Sequence, residues 1–185
     1  MTTETRQIDR RGLLAGVLAI GASSVIAPQT AFAMLGERRL AFRNVHNNER
    51  IDARYWGASG IDRDGLAEIN HGMRDWRTGD VASMDPSLID LLVTLRDKLG
   101  ASPRTSFDLI SGYRSPRTNA SLRAHGGGGV ATKSQHMLGK ASDIALPGVR
   151  LETVRSAALS IGRGGVGFYP RDGFVHVDTG RVRTW

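Results

Sequence analysis

One segment of this 185-residue chain carries an unbroken helical repeat of leucines, and it limits the folds that the rest can form. The repeat places apolar side chains three or four residues apart, on one face of a helix: Leu88, Leu91, Leu92, Leu95 and Leu99. Asp85 before Pro86 predicts the start of the helix, with the aspartate as N-cap, and Gly100 predicts its end. Most other apolar segments are short, which favours strands. The pattern therefore predicts an α+β domain with a central antiparallel sheet and helices packed on it.

The other predicted elements follow from periodicity and turn residues. Strands are predicted at residues 40–46, 50–56, 107–111, 141–146, 165–169, 174–178 and 182–185, and helices at 64–76, 116–123 and 152–161. The first two strands form a predicted hairpin around Asn47 and Asn48. Residues 126–129, all glycine, predict a flexible loop and not a phosphate-binding loop, because no Lys-Ser or Lys-Thr pair follows at the required place.

The first 33 residues have the pattern of an export signal. Arg10 and Arg11 precede a mildly apolar stretch at 13–26, and Ala31-Phe32-Ala33 matches a small-x-small cleavage pattern. The arginine pair resembles the twin-arginine signal, and an ordinary secretory signal with a chance arginine pair is the alternative. The stretch is too short for a membrane span. We therefore expect a signal peptide at 1–33 and a mature domain at 34–185, exported to the periplasm or cell envelope.

Composition restricts the chemistry of any site. The chain has no cysteine, which excludes disulfides, thiolate metal ligands and a cysteine nucleophile. A transition-metal site must then use histidine and carboxylate ligands, a set that suits catalytic Zn²⁺. The net charge of +7 comes mostly from arginine, whose guanidinium suits carboxylate and phosphate partners. No nucleic-acid-binding motif accompanies this charge, so it indicates either a solvated surface or attraction to an anionic envelope polymer.

The predicted strand at 174–178 places two ionisable groups on one face. Side chains in a strand alternate between faces, so Val175 and Val177 point to the core. His176 and Asp178 then share the opposite face, about 7 Å apart along the strand. Two ionisable groups in this position indicate a site.

Asp143 is an acidic residue in an otherwise apolar predicted strand. It shares a face with Ala141 and Ala145, whose small side chains leave space for a ligand. A buried carboxylate needs a cation or several donors, and His136 lies in the loop just before this strand. Two histidines and a carboxylate form a usual catalytic zinc set, so His136, Asp143 and His176 predict a Zn²⁺ site. The alternative is that Asp143 pairs with an arginine and the histidines are incidental.

Three ordered motifs resemble those of a known peptidase family. They are Ser134-x-His136-x-x-Gly139-x-Ala141-x-Asp143, then Ser111-Gly112-Tyr113-Arg114-Ser115 upstream, and the stretch from Gly165 to Trp185 that contains Phe174-Val175-His176-Val177-Asp178. Over residues 40–185 the chain is similar to the M15-type D-Ala-D-Ala metallopeptidases, whose fold is shared with the Hedgehog signalling domain. Within that family it resembles the YcbK-like subgroup, whose characterised members are murein endopeptidases of the MepK kind.

The resemblance implies a fold, an activity and a ligand set. It implies that residues 34–185 form a zinc metallopeptidase domain in which His136, Asp143 and His176 hold Zn²⁺. The expected reaction is hydrolysis of an amide bond in peptidoglycan cross-links. The expected partners are therefore peptidoglycan stem peptides, with no nucleic acid and no stable membrane span in the mature form.

The resemblance also gives expectations for Arg114 and Ser134. Arg114 is expected to be catalytic or substrate-binding, because a fixed guanidinium can stabilise the oxyanion of a tetrahedral intermediate or bind a substrate carboxylate. A structural salt bridge is the alternative for Arg114. Ser134 is expected to bind substrate or to orient His136, with a role in capping the loop as the alternative.

The general base departs from the family pattern. Classical members place it two or three residues before the last zinc histidine, and these positions are Phe174 and Gly173 here. Asp178 is the first candidate for the missing base, followed by Asp172 and, more weakly, His125. Asp178 has an alternative role in holding the His176 ring. The missing base also leaves open a catalytically inactive wall- or metal-binding module on the same fold.

Overall fold

The computed structural model describes residues 36–125 and 130–185, and the predicted signal peptide and the glycine run lie outside these ranges. Helices and strands interleave, which confirms the predicted α+β class. The strands are β1 Arg38–Asn44, β2 Arg50–Gly57, β3 Gly60–Ile61, β4 Phe107–Ser111, β5 Ala141–Ala145, β6 Gly165–Tyr169, β7 Phe174–Asp178 and β8 Arg183–Thr184. The helices are α1 Arg63–Gly72, α2 Pro86–Lys98, α3 Pro116–His125 and α4 Leu151–Ile161, with a short 3-10 helix at Gln135–Leu138. Within the described ranges, no helix is both long and apolar enough to cross a membrane.

The strands form one sheet in the order β3-β2-β1-β4-β5-β7-β6-β8. Its centre, from β4 through β5 and β7 to β6, is antiparallel as predicted. Two pairings differ from the prediction, because β1 is parallel to β4 and β8 is parallel to β6. The first follows from the long connection through α1 and α2, since parallel neighbours need a crossover. The parallel pairing of β8 with β6 arises because the chain leaves β7 near the start of β6. It then crosses to the other side of β6 and runs in the same direction as that strand.

The core lies between the sheet and the helices α2 and α4, which also pack on each other. Leu88, Leu91 and Leu95 of α2 are almost completely buried in it, as their spacing predicts. Val175 and Val177 point into the same core and leave the opposite face of β7 to Phe174, His176 and Asp178.

The first helix ends earlier than the sequence predicts. The helix expected at 64–76 stops at Gly72, a residue of low helix propensity. A side chain at Gly72 would lie only 2.5 Å from Ile51, so this end of the helix packs tightly on the sheet. The next carbonyl, that of Met73, accepts from the Tyr113 N–H instead of continuing the helix.

Asp85 joins the start of α2 to the segments that flank both site histidines. As predicted, it is the N-cap, and its Oδ1 accepts from the Ser87 N–H at 2.9 Å. Its Oδ2 accepts from the Thr179 hydroxyl, just after β7, at 2.9 Å. Its own N–H donates to the carbonyl of Gly139, just after the 3-10 helix.

We expect Asp85→Ala to lower the free energy of unfolding by about 1–2 kcal/mol, because α2 loses its cap and Thr179 loses its acceptor. Asp85→Asn keeps an oxygen for the cap and should stay close to wild type. Urea denaturation followed by circular dichroism measures both variants. Equal losses in the two would contradict this role of the carboxylate oxygens.

Candidate metal centre

The three predicted ligands come from two neighbouring strands and one short helix. Asp143 in β5 and His176 in β7 are direct partners in the antiparallel ladder, so both side chains leave the sheet on one face. His136 lies in the 3-10 helix, which ends at Gly139 with a φ of 66°. This left-handed conformation favours glycine. It turns the chain back into β5, so that His136 faces Asp143.

The three side chains are buried and converge on one point. His136 Nε2 lies 3.2 Å from Asp143 Oδ1, and His176 Nδ1 lies 2.8 Å from the same oxygen. The two nitrogens are 3.2 Å from each other. The structure therefore brings together all three residues that the sequence predicts as ligands.

Hydrogen bonds on the far side of each ring fix the position of its proton. His136 Nδ1 lies 2.7 Å from the Gly112 carbonyl oxygen, which can only accept. His176 Nε2 lies 3.0 Å from Asp178 Oδ2. Each of these nitrogens carries the proton when its ring is neutral. His136 Nε2 and His176 Nδ1 are then left as bare lone pairs beside the Asp143 carboxylate.

Three acceptors at this separation need a positive charge between them, either a metal ion or an added proton on one ring. Zinc–ligand distances of about 2.0–2.2 Å place tetrahedral ligand atoms about 3.3–3.6 Å apart, slightly more than the observed separations. Carbonyl and carboxylate partners for the second ring nitrogen are also the usual surroundings of metal-binding histidines. The residues therefore fit a Zn²⁺ site.

The pKa values of Asp143 and His176 reflect the close approach of their charged and polar groups. Burial acts to raise the pKa of Asp143, but the two histidines outweigh it and hold that pKa well below its usual range. Burial also opposes charging of His176, yet hydrogen bonds to Asp143 and Asp178 raise the pKa of the ring above its ordinary value. The surroundings of this point therefore favour a cation.

Asp178 is completely buried, and both of its oxygens are used. Oδ2 accepts from His176 Nε2 and from Arg183, and Oδ1 accepts from Arg183 and from the N–H groups of Gly165 and Gly180. Burial acts to raise the pKa of Asp178, but these contacts outweigh it and lower the pKa well below its usual range. The carboxylate thus lies behind the His176 ring and does not line the cleft.

Two glycines in β6 make room for side chains from the C-terminal segment. A Cβ at Gly165 would lie 2.4 Å from an Arg183 nitrogen, and one at Gly167 would lie 2.7 Å from the Trp185 ring. Gly167 is the ladder partner of His176, and the Trp185 and His176 ring centres are 5.2 Å apart. The motifs in the sequence did not indicate that these two C-terminal side chains belong to the site. The alternating glycines were the signal that could have indicated them.

Arg114 faces the other oxygen of Asp143. Its nearest nitrogen lies 3.5 Å from Asp143 Oδ2, and its guanidinium makes no hydrogen bond with the described part of the chain. Its Nε is buried without a partner, and burial lowers the pKa of the guanidinium. A desolvated guanidinium with free donors is better suited to a substrate oxygen than to a purely structural salt bridge.

Asp75 fixes the loop that carries Arg114. Its buried carboxylate accepts from the Ser115 N–H at 2.8 Å and from the Arg77 N–H at 3.0 Å. The Arg114 N–H donates to the His136 carbonyl at 3.2 Å, which joins this loop to the ligand loop. The sequence did not indicate this role of Asp75, because Ser115 lies 40 residues away and no local pattern connects them.

The remaining candidates are distributed differently. Ser134 lines the cleft, and its hydroxyl accepts from the His136 N–H at 3.3 Å, which is the loop-capping contact. Asp172 is exposed in the turn between β6 and β7, and His125 is exposed at the end of α3. Neither of them lines the cleft.

The cluster opens into a cleft of about 320 Å³. Its walls carry cationic and aromatic side chains, namely Arg114, Lys133, Arg183, Tyr169, Phe174 and Trp185. Among the described lining residues, Asp143 is the only carboxylate. A larger cavity of about 880 Å³ between β1 and α2 shares none of these residues and has no histidine in its lining. The smaller cleft therefore contains the site chemistry.

An α+β domain in which a sheet and a short 3-10 helix present two histidines and an aspartate to an open cleft has the arrangement of a metal-dependent hydrolase. The chain belongs to the M15 peptidase family described as peptidoglycan L,D-endopeptidase MepK, which matches residues 33–185. The resemblance predicted from the three motifs is thereby confirmed.

Curated relatives match almost the whole chain. The peptidoglycan L,D-endopeptidase MepK of Escherichia coli (strain K12) is 46% identical over 181 residues, which cover 96% of this chain and 97% of that protein. The probable peptidoglycan L,D-endopeptidase MepK of Haemophilus influenzae is 41% identical over 182 residues, which cover 97% of this chain and 96% of that protein. No solved structure matches the chain.

We expect Arg183→Ala to lower the free energy of unfolding by about 1–2 kcal/mol, because Asp178 is buried and loses a charged partner. Arg181→Ala is the matched control, since Arg181 is exposed and its side chain makes no ion pair within the described residues. It should change stability by less than about 0.5 kcal/mol. Thermal unfolding of both variants tests this, and equal losses would show that Arg183 does not stabilise Asp178.

Proposed function

We propose that the protein is a zinc-dependent endopeptidase that hydrolyses stem-peptide cross-links of peptidoglycan. The observation that carries the proposal is the convergence of His136 Nε2, Asp143 Oδ1 and His176 Nδ1, with the other nitrogen of each ring within hydrogen-bond distance of an acceptor oxygen. Membership in a family of peptidoglycan endopeptidases supports the substrate class. The relatives that match nearly the whole chain support the same activity.

In this proposal His136, Asp143 and His176 hold the ion. Bound there, zinc supplies Lewis acidity, which polarises a carbonyl and lowers the pKa of water. Asp143 and His176 are fixed by their pairing in the sheet, and His136 is fixed by its hydrogen bond to the Gly112 carbonyl. The ligands therefore need little rearrangement, which is the condition for strong electrostatic catalysis.

Arg114 stabilises the oxyanion of the tetrahedral intermediate. Its buried guanidinium lacks hydrogen-bond partners among the described residues, so a developing negative charge would complete its bonding. Lys133 and Arg183 also line the cleft and make it positive. A positive cleft suits stem peptides, whose ends carry carboxylates. Ser134 is proposed as a substrate contact that also caps the loop before His136.

The contacts of Asp178 favour its positioning role over the base role. The carboxylate lies behind the His176 ring, with both oxygens already accepting hydrogen bonds. A group in this position has no direct path to a proton in the cleft. We therefore assign to Asp178 the task of holding His176 in the tautomer that presents Nδ1 to the ion. Asp172 and His125 do not line the cleft and are not proposed as bases.

Export also belongs to this proposal. The family match begins at residue 33, where the predicted cleavage pattern ends, which supports a separate role for residues 1–33. The pair Arg10-Arg11 favours the twin-arginine route, which exports proteins already folded. Location in the periplasm or cell envelope would bring the enzyme to its polymer.

We expect wild type to bind one Zn²⁺ per chain, and His136→Ala and His176→Ala to lose it, because each variant removes one of three ligands. Isothermal titration of chelator-treated protein with zinc, together with elemental analysis, measures this. His46→Ala is the matched control, since His46 stacks on Trp76 outside the cluster and its loss should leave zinc binding intact. Wild-type zinc affinity in both ligand variants would exclude this site.

We expect zinc-loaded wild type to cleave defined cross-linked muropeptides, with products identified by mass spectrometry. Asp178→Asn should weaken zinc binding about 10–100-fold, the usual effect of losing such an outer partner, and should regain most activity at saturating zinc. Unchanged zinc affinity with lost turnover would instead support Asp178 as the base. Intact muropeptides after treatment with zinc-loaded wild type would favour a wall-binding module without catalysis.

A further inference from the structure

The hydroxyl of Tyr169 is oriented by a neighbour that can only donate. Trp185 Nε1 donates to the Tyr169 oxygen at 2.7 Å, and an indole nitrogen cannot accept a hydrogen bond. The phenol must therefore direct its own proton elsewhere. No acceptor for that proton lies within the described residues, and Tyr169 lines the cleft. Its O–H is thus available to a molecule bound there.

The register of the sheet places Tyr169 next to the row that contains His176, in the lining of the same cleft. Gly167 pairs with His176, and Tyr169 lies two residues further along β6 on the same face. Diagonal neighbours on one face are about 7–8 Å apart, within reach of an aromatic side chain. Trp185 spans this gap, because its ring centre is 5.2 Å from that of His176 and its nitrogen contacts the hydroxyl.

Two further neighbours define the position of the tyrosine. The Phe174 ring stacks on it with 4.6 Å between ring centres, which restricts its rotation. Tyr169 and Arg114 also line the same cleft. A hydroxyl from β6 and a guanidinium from the Asp75-anchored loop therefore reach the cleft as neighbouring donors.

We propose that Tyr169 is a catalytic residue that donates its O–H to the oxyanion formed at the scissile carbonyl, beside Arg114, and that Trp185 is the positioning residue that orients it. The inference rests on the proposed function, since it needs a peptide carbonyl bound next to the His136, Asp143 and His176 cluster. The step is a hydrogen bond, and the proton stays on the phenol. A donor already oriented before the charge develops adds stabilisation without reorganisation.

Tyr169→Phe removes only the hydroxyl. We expect kcat to fall about 10²–10³-fold with KM nearly unchanged, the usual effect of losing one oxyanion donor, while zinc content and melting temperature stay at wild-type values. Tyr55→Phe removes the same group from a residue outside the cleft, whose hydroxyl donates to Asp90 of α2, and it should keep full activity. Trp185→Phe leaves the hydroxyl but removes its orienting donor, so it should lose an intermediate share of kcat.

A second readout does not depend on turnover. A phosphinate analogue of the scissile dipeptide has tetrahedral oxygens that imitate the intermediate, and calorimetry measures its binding to the zinc-loaded protein. Tyr169→Phe should weaken the phosphinate at least about tenfold and leave the affinity for the product peptide unchanged, because only the tetrahedral form engages the hydroxyl.

Three results would overturn the inference. The first is a kcat of Tyr169→Phe within about threefold of wild type, and the second is a raised KM of that variant with unchanged kcat. The third is equal affinity of wild type and Tyr169→Phe for the phosphinate. Unchanged kcat in Trp185→Phe would overturn the orienting role of Trp185. A zinc-loaded wild type that cleaves nothing would contradict the proposed function and the catalytic role of Tyr169 with it, and the phosphinate comparison would then show only whether the hydroxyl binds a tetrahedral anion.

Discussion

A buried cluster of three acceptor atoms can exist only with compensating positive charge, and this requirement organises the residues around it. The carboxylates of Asp143 and Asp178 face the guanidiniums of Arg114 and Arg183, so their formal charges cancel before an ion binds. A divalent cation would then make the site net positive, in a cleft that Lys133 also lines. The electrostatics that favour a metal ion therefore also favour a substrate that carries carboxylates.

The sheet gives this cluster its precision because side chains from separate strands lie in rows on one face. His176 pairs with Gly167, and the missing side chain of that glycine is replaced by the ring of Trp185. In the adjacent row, Arg183 lies over Gly165 in the same way. The short edge strand β8, parallel to β6, thus brings the side chains of Arg183 and Trp185 to the site. The glycines of β6 are necessary because a Cβ at either position would displace one of them.

Local periodicity predicts much of this arrangement, since spacing alone decides which side chains share a face. It predicts α2 and its cap, and it predicts that His176 and Asp178 share a face, which the 3.0 Å contact between them confirms. It does not predict the contact of Asp75 with Ser115, or the parallel pairing of β1 with β4. These features depend on contacts between residues far apart in the chain, which a single sequence does not encode in any local pattern. Residue types and strand faces indicated His136, Asp143 and His176 as ligands but left an ion pair of Asp143 with an arginine open, and the motif resemblance then favoured the metal site.

The positions two and three residues before His176, which the M15-type pattern assigns to a base, have other structural tasks here. Gly173 has a φ of 78°, in the left-handed region that favours glycine, and it closes the turn between β6 and β7. Phe174 stacks on Tyr169 and restricts its ring. An acidic residue in place of Gly173 would strain the turn, and an acidic residue in place of Phe174 would remove the stack on Tyr169. The chain therefore uses these positions to hold an aromatic wall, in which Phe174 of β7 packs against Tyr169 of β6 at the edge of the cleft.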